Sequence, residues 1–225
     1  MSTETLELEK DVAVEKESLL SKRRKKFVTD PFDDDNPVTV QVLGICSALA
    51  VTSQIQPTFI MAVSVTAVIV LSNVVISLIR GLIPSRVRII WQLGIVATLV
   101  ALVDMFLQAY QYEMWKSLTV FIGLIITNCI VMGRLEAFAM GNKAWDSALD
   151  GLGSGIGYSW IILAIAFVRE LFGSGTLAGI TIIPEPVYEQ LNYVNNGIMV
   201  TPVGAFMVLG IIIWVQRTRN GYVED

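Results

Sequence analysis

Gln56-Pro57-Thr58-Phe59-Ile60-Met61-Ala62-Val63-Ser64-Val65-Thr66-Ala67-Val68-Ile69-Val70-Leu71-Ser72-Asn73-Val74-Val75-Ile76-Ser77-Leu78-Ile79 carries no charge across 24 residues. As an α-helix it would rise about 36 Å at 1.5 Å per residue, which exceeds the roughly 30 Å hydrocarbon core of a bilayer. Working outward, the apolar pattern recurs over 87–107, 151–172 and 198–215. Two shorter stretches, 38–54 and 118–133, hold 17 and 16 residues. The pattern therefore predicts an all-α, polytopic membrane protein with six transmembrane segments. Segments one and four are short for a crossing. Short or interrupted spans are where membrane folds place functional sites.

Composition agrees. Of 225 residues, 54% are hydrophobic and 16% charged, whereas soluble domains carry about 25% charge. The chain has no histidine. That excludes histidine-ligated metal or haem, a Ser-His-Asp triad and a zinc deaminase site. Two cysteines, Cys46 and Cys129, rule out a disulfide-rich secreted fold. A net charge of −4 gives no sign of nucleic-acid binding.

Basic residues set the orientation, because Lys and Arg accumulate on the cytoplasmic side. With the N-terminus inside and six crossings, seven Lys/Arg before segment one, then Arg80, Arg86, Arg88, Arg134, Lys143, Arg217 and Arg219, all lie inside. Only Lys116 and Arg169 lie outside. The expected organisation is a polar cytoplasmic tail over 1–36, a transmembrane domain over 37–217, and a cytoplasmic tail over 218–225. The loop 173–197 is expected outside.

An internal repeat is visible. Leu78-Ile79-Arg80-Gly81-Leu82-Ile83-Pro84-Ser85 and Phe167-Val168-Arg169-Glu170-Leu171-Phe172-Gly173-Ser174 both read apolar-apolar-Arg-x-Leu-apolar-x-Ser. Cys46 precedes Arg80 by 34 residues and Cys129 precedes Arg169 by 40. Three segments per half, about 37–110 and 117–217, would invert the second half, giving a 3+3 inverted repeat. Cys46 lies about 12 Å along its helix and Cys129 about 16 Å, both near the midplane of a core about 30 Å thick.

A lone cysteine in a membrane helix is usually a small hydrophobe. Equivalent repeat positions in the two short segments widen the choice. A disulfide would lock the halves together. Zinc would lack ligands. An iron–sulfur cluster needs four thiolates, of which this chain offers two. Among other polar residues, Asp104 in segment three is an intramembrane carboxylate, and Asp150 is read as an N-cap for segment five. The glycines at 151, 153, 155 and 157 suit close helix packing. Arg169 and Glu170 are expected to pair with a neighbour or reach the outer interface.

Several of these residues also carry a family resemblance. Asn36-Pro37-Val38 with Gln41-Val42-Leu43-Gly44-Ile45-Cys46-Ser47-Ala48-Leu49-Ala50-Val51-Thr52, and Gly123-Leu124-Ile125-Ile126-Thr127-Asn128-Cys129-Ile130-Val131-Met132-Gly133-Arg134 with Glu136-Ala137-Phe138-Ala139-Met140, form the first part of it. Arg169-Glu170-Leu171-Phe172-Gly173-Ser174-Gly175 completes it. Together they resemble the D-type family of membrane subunits in bacterial Na⁺-translocating NADH:quinone reductases, which is related to a subunit of the Rnf electron-transfer complexes. The likeness covers about 36–217, and the tail 1–35 is longer than the family's usual start.

The resemblance implies a translocase subunit, not catalytic alone, in the bacterial inner membrane, with segments one and four as half-spanning helices. It implies a [2Fe–2S] cluster held by Cys46, Cys129 and two cysteines of the paralogous, oppositely oriented E-type membrane subunit. The A-, B-, C- and F-type subunits would complete the complex and carry FAD, FMN and riboflavin. Electrons would pass from NADH towards quinone with export of Na⁺, whose passage the resemblance associates with Asp104 and Asp150. The alternatives are a homologous subunit of an Rnf-type ferredoxin:NAD oxidoreductase, or a secondary transporter without iron.

Overall fold

A computed structural model describes residues 36–84, 86–177, 180–181 and 197–220. The expected tail over 1–35, most of the loop 173–197 and the last five residues lie outside the described residues. In chain order the helices are α1 (Ile45–Val51), α2 (Ile55–Ile79), α3 (Arg88–Tyr110), α4 (Tyr112–Ile126) and α5 (Cys129–Arg134). A π-helical turn, Leu135–Ala139, continues α5. Then follow α6 (Ala144–Ser174), α7 (Gly197–Val200) and α8 (Pro202–Asn220). A two-residue antiparallel hairpin, β1 (Thr176–Leu177) and β2 (Ile180–Thr181), follows α6. Among the described residues, four helical stretches are long and apolar enough to cross a membrane: 55–79, 88–110, 118–139 and 144–173.

Segment one is not one helix over 38–54. The side chain of Asn36 accepts the N–H groups of Val38 at 3.0 Å and Thr39 at 3.3 Å, bending the chain at its start. Val42 and Gly44 then adopt φ +59° and +81°, left-handed values that no α-helix accommodates. Only Ile45–Val51 is helical, seven residues. A break at 52–54 follows, and Thr58 Oγ1 spans it by donating to Val51 O at 3.1 Å and Gln54 O at 2.6 Å. Pro57 is tolerated in the first turn of α2, where its missing N–H has no helical acceptor.

Segment four extends past its expected end. Helical chain covers Leu118–Ala139, interrupted at Thr127–Asn128 where α4 stops and α5 begins. Segment five begins at Ala144, seven residues before the expected 151. Asp150 is therefore inside α6, and the N-cap position belongs to Lys143. Segment six is divided at Thr201 into α7 and α8. Pro202 opens α8, and the helix runs beyond the expected boundary at 217.

The core forms where α2 crosses α6. Val65, Val68, Ile69 and Ile76 of α2 are fully buried, and so are Tyr158, Ile162 and Ile165 of α6. Glycine makes the approach possible, since there is no aqueous hydrophobic effect to drive helices together in lipid. A Cβ at Gly151 would lie 3.2 Å from the Cα of Val70, and one at Gly155 only 2.6 Å from Thr66. By contrast α3 exposes Ile89, Ile90, Trp91, Leu102, Met105 and Phe106, the apolar exterior expected of a span in lipid.

Candidate functional site at the two cysteines

The breaks in segments one and four bring the two cysteine segments together. Cys46 is the second residue of α1 and Cys129 the first of α5. The N–H of Gly44 donates to Cys129 Sγ at 2.9 Å, across 85 residues of sequence. Leu43 also packs against α5, its Cδ1 lying 3.0 Å from where a Cβ on Gly133 would stand. Both cysteines are free thiols, Cys46 exposed and Cys129 half-buried. The disulfide reading is thus not what the fold adopts. Among the described residues, no three His, Cys, Asp or Glu side chains gather closely enough to hold a metal ion.

A buried polar network surrounds the contact. Asn128 precedes Cys129 and accepts the N–H of Ile130 at 3.4 Å, so it caps α5. Its amide donates to Ser47 Oγ at 3.2 Å. Ser47 Oγ lies 2.9 Å from Gly44 O and 2.7 Å from the hydroxyl of Tyr158. Tyr158 was not singled out by the sequence. The available signal was its hydroxyl inside an apolar stretch, which needs a partner when buried.

Arg169 holds the end of the short helix α1. Arg169, fully buried on α6, donates to Thr52 Oγ1 at 2.6 Å and Leu49 O at 3.5 Å at the end of α1. It also donates to Met199 O at 3.0 Å and Val200 O at 2.7 Å in α7. Its neighbour Glu170 accepts the first N–H of α2, from Ile55, at 2.6 Å. Both side chains therefore serve backbone ends. Arg80, the matching residue of the repeat, donates to Asn142 O at 2.8 Å just past the π-helical turn. Arg169 thus holds the end of α1, whereas Arg80 reaches the chain three residues beyond the π-helical turn.

The two acidic candidates do not come together. Asp104 on α3 accepts Trp115 Nε1 of α4 at 2.8 Å. Asp150 is buried on α6 with its Oδ2 3.8 Å from Arg134 Nε, which also donates to Ser154 Oγ at 2.7 Å. Two residues beyond Arg134, Glu136 pairs with Arg88 and accepts from Gln92 at 3.1 Å. Asp104 is sixteen residues further along α3 than Arg88, about 24 Å of helix. The carboxylates therefore belong to opposite ends of the spans. Asn73 donates to Ser147 O at 3.0 Å and ties α2 to α6.

Comparison with known proteins agrees with this architecture. Residues 24–213 match the family model described as Rnf-Nqr subunit, membrane protein. The chain is 52% identical over 198 residues to the D-type subunit of the Na(+)-translocating NADH-quinone reductase of Shewanella sp. (strain ANA-3), covering 88% of this chain and 94% of that one. The corresponding subunits from Tolumonas auensis and Aeromonas salmonicida are each 53% identical to it. They cover 86% and 87% of this chain, and 90% and 93% of their own length. A family model spanning most of the residues, and relatives matched over nearly their whole length, place the chain in the Rnf-Nqr family of membrane subunits, beside the D-type subunits of the Na⁺-translocating NADH-quinone reductases.

Proposed function

We propose that the chain works as the D-type subunit of a Na⁺-translocating NADH:quinone reductase, supplying Cys46 and Cys129 as two of four thiolate ligands of a [2Fe–2S] cluster. The paralogous membrane subunit supplies the other two. The observation that carries this reading is the Gly44 N–H pointing at Cys129 Sγ from 2.9 Å. A backbone donor aimed at sulfur suits a thiolate that bears charge. The chemistry of the donor set fits as well, since two thiolates from one chain are half of what such a cluster takes.

When bound, the cluster supplies a one-electron relay between donors and acceptors on the two sides of the membrane. The residues of this chain hold and shield that place. Asn128 caps the helix that starts at Cys129, and Arg169 fixes the end of the helix that carries Cys46. The surrounding apolar spans exclude water, and burial of this kind is among the factors that set a cluster's potential. Six spans in a 3+3 inverted repeat, with both termini cytoplasmic in the inner membrane, complete the reading. NADH oxidation, the flavins and quinone reduction belong to other subunits. Na⁺ passage past Asp104 and Asp150 is part of the same proposal.

Iron and acid-labile sulfide in the purified complex provide the test. The wild-type pair of membrane subunits should hold about two iron atoms. Cys46→Ser or Cys129→Ser should remove them and stop quinone reduction, while NADH oxidation with an artificial acceptor continues. Full iron and full quinone reduction in a chain lacking both cysteines would sink the shared-cluster reading.

A further inference from the structure

Tyr158 is fully buried in α6; its hydroxyl lies 2.7 Å from Ser47 Oγ and also meets the side chain of Asn128. A serine hydroxyl has one proton and two lone pairs. The proton of Ser47 goes to Gly44 O at 2.9 Å. The lone pairs accept from Asn128 Nδ2 at 3.2 Å and from Tyr158. With the Ser47 proton on Gly44 O, the Tyr158 hydroxyl is the donor to Ser47. Tyr158 and Asn128 donate to Ser47, Ser47 donates to the Gly44 carbonyl, and the Gly44 N–H donates to Cys129 Sγ. The ring of Tyr158 also walls in Gly44, with Cε2 3.0 Å from where a Cβ would stand.

We propose that Tyr158 is a positioning residue for the cysteine site: through Ser47 it holds the Gly44 backbone so that its N–H stays aimed at the Cys129 sulfur, and that bond tunes the reduction potential of the group the sulfur ligates. The inference rests on Cys46 and Cys129 being cluster ligands. Its physical basis is that reduction adds negative charge at sulfur, so a hydrogen bond to that sulfur favours the reduced state. A tyrosine present only to fill space would act through its ring, and its hydroxyl would leave the potential alone.

Redox titration followed by electron paramagnetic resonance of the purified complex separates the two. Tyr158→Phe keeps the ring and removes the hydroxyl. It should retain wild-type iron, lower the midpoint potential and alter the spectrum of the reduced cluster. Ser47→Ala should shift the potential in the same direction. The double variant should shift no further than Ser47→Ala alone, because both act through one hydroxyl. Unmoved potential and spectrum in the single variants, or fully additive shifts, would overturn the inference. Should Tyr158→Phe fail to assemble, Ser47→Ala compared with Ser47→Thr, which restores the hydroxyl, makes the same distinction. Iron that survives loss of both cysteines would overturn the cluster reading and this inference together. Cysteine-dependent iron with an unmoved potential would overturn this inference alone.

Discussion

Gly44 sits at φ +81° with the ring of Tyr158 against it. A residue with a Cβ resists that backbone region by roughly 1–2 kcal/mol, and here the Cβ would also press on a buried aromatic ring. Gly44→Ala should therefore lower the melting temperature of the assembled complex and reduce its iron content. Gly123→Ala on α4 is the control, since a Cβ there meets nothing within 4 Å and alanine favours helix over glycine. Equal effects of the two substitutions, measured by thermal denaturation and iron analysis, would show that the left-handed turn is not what Gly44 provides. At this scale the sequence reveals Cys46 and Cys129 readily, being the only two cysteines. It conceals Tyr158, because that hydroxyl finds its partner 111 residues away and no local spacing announces such a contact.

Among the elements, Arg169 explains how a helix of only seven residues persists at 45–51. Helices this short have unfavourable nucleation to overcome and few internal hydrogen bonds. Their terminal carbonyls, out of reach of water, need donors from elsewhere. Arg169 supplies them for α1 and α7, and Arg80 supplies one just past the π-helical turn. Hydrogen bonds from a charged donor contribute on the order of 1.5–3 kcal/mol each. Arg169→Gln should speed amide hydrogen exchange in 45–52 and 197–201 and leave 129–139 near wild type. Arg80→Gln should leave 45–52 and 197–201 near wild type and have a smaller effect, because Arg80 is exposed and bonds Asn142 O instead. Uniform loss of protection in both variants would argue against separate roles. The arginine motif and the shortness of segment one are legible in the sequence. The element boundaries are less so, because Val42 adopts a positive φ without being glycine. The break at Thr127–Asn128 is likewise held by side-chain bonds from other segments, which periodicity does not record.

For the whole molecule, α2 packs against α6 over much of their length. Charged groups sort along the same axis. Arg88 with Glu136 and Arg134 with Asp150 cluster at one end of the spans, and Arg80 reaches Asn142 beside them. Asp104 and Trp115 mark the other end. By the positive-inside rule the basic end is expected in the cytoplasm. Gln111, between α3 and α4, and Lys143, before α6, therefore lie on opposite sides, separated by the interrupted stretch Leu118–Ala139. A membrane-impermeant maleimide applied to intact cells should label Gln111→Cys above the wild-type background. It should label Lys143→Cys only after the membrane is opened. The reversed pattern would turn the protein over in the membrane while preserving its fold. Labelling of both positions from the same side would have a different meaning. It would show that the chain does not cross at 118–139, and that the break before Cys129 turns it back to the side it entered from.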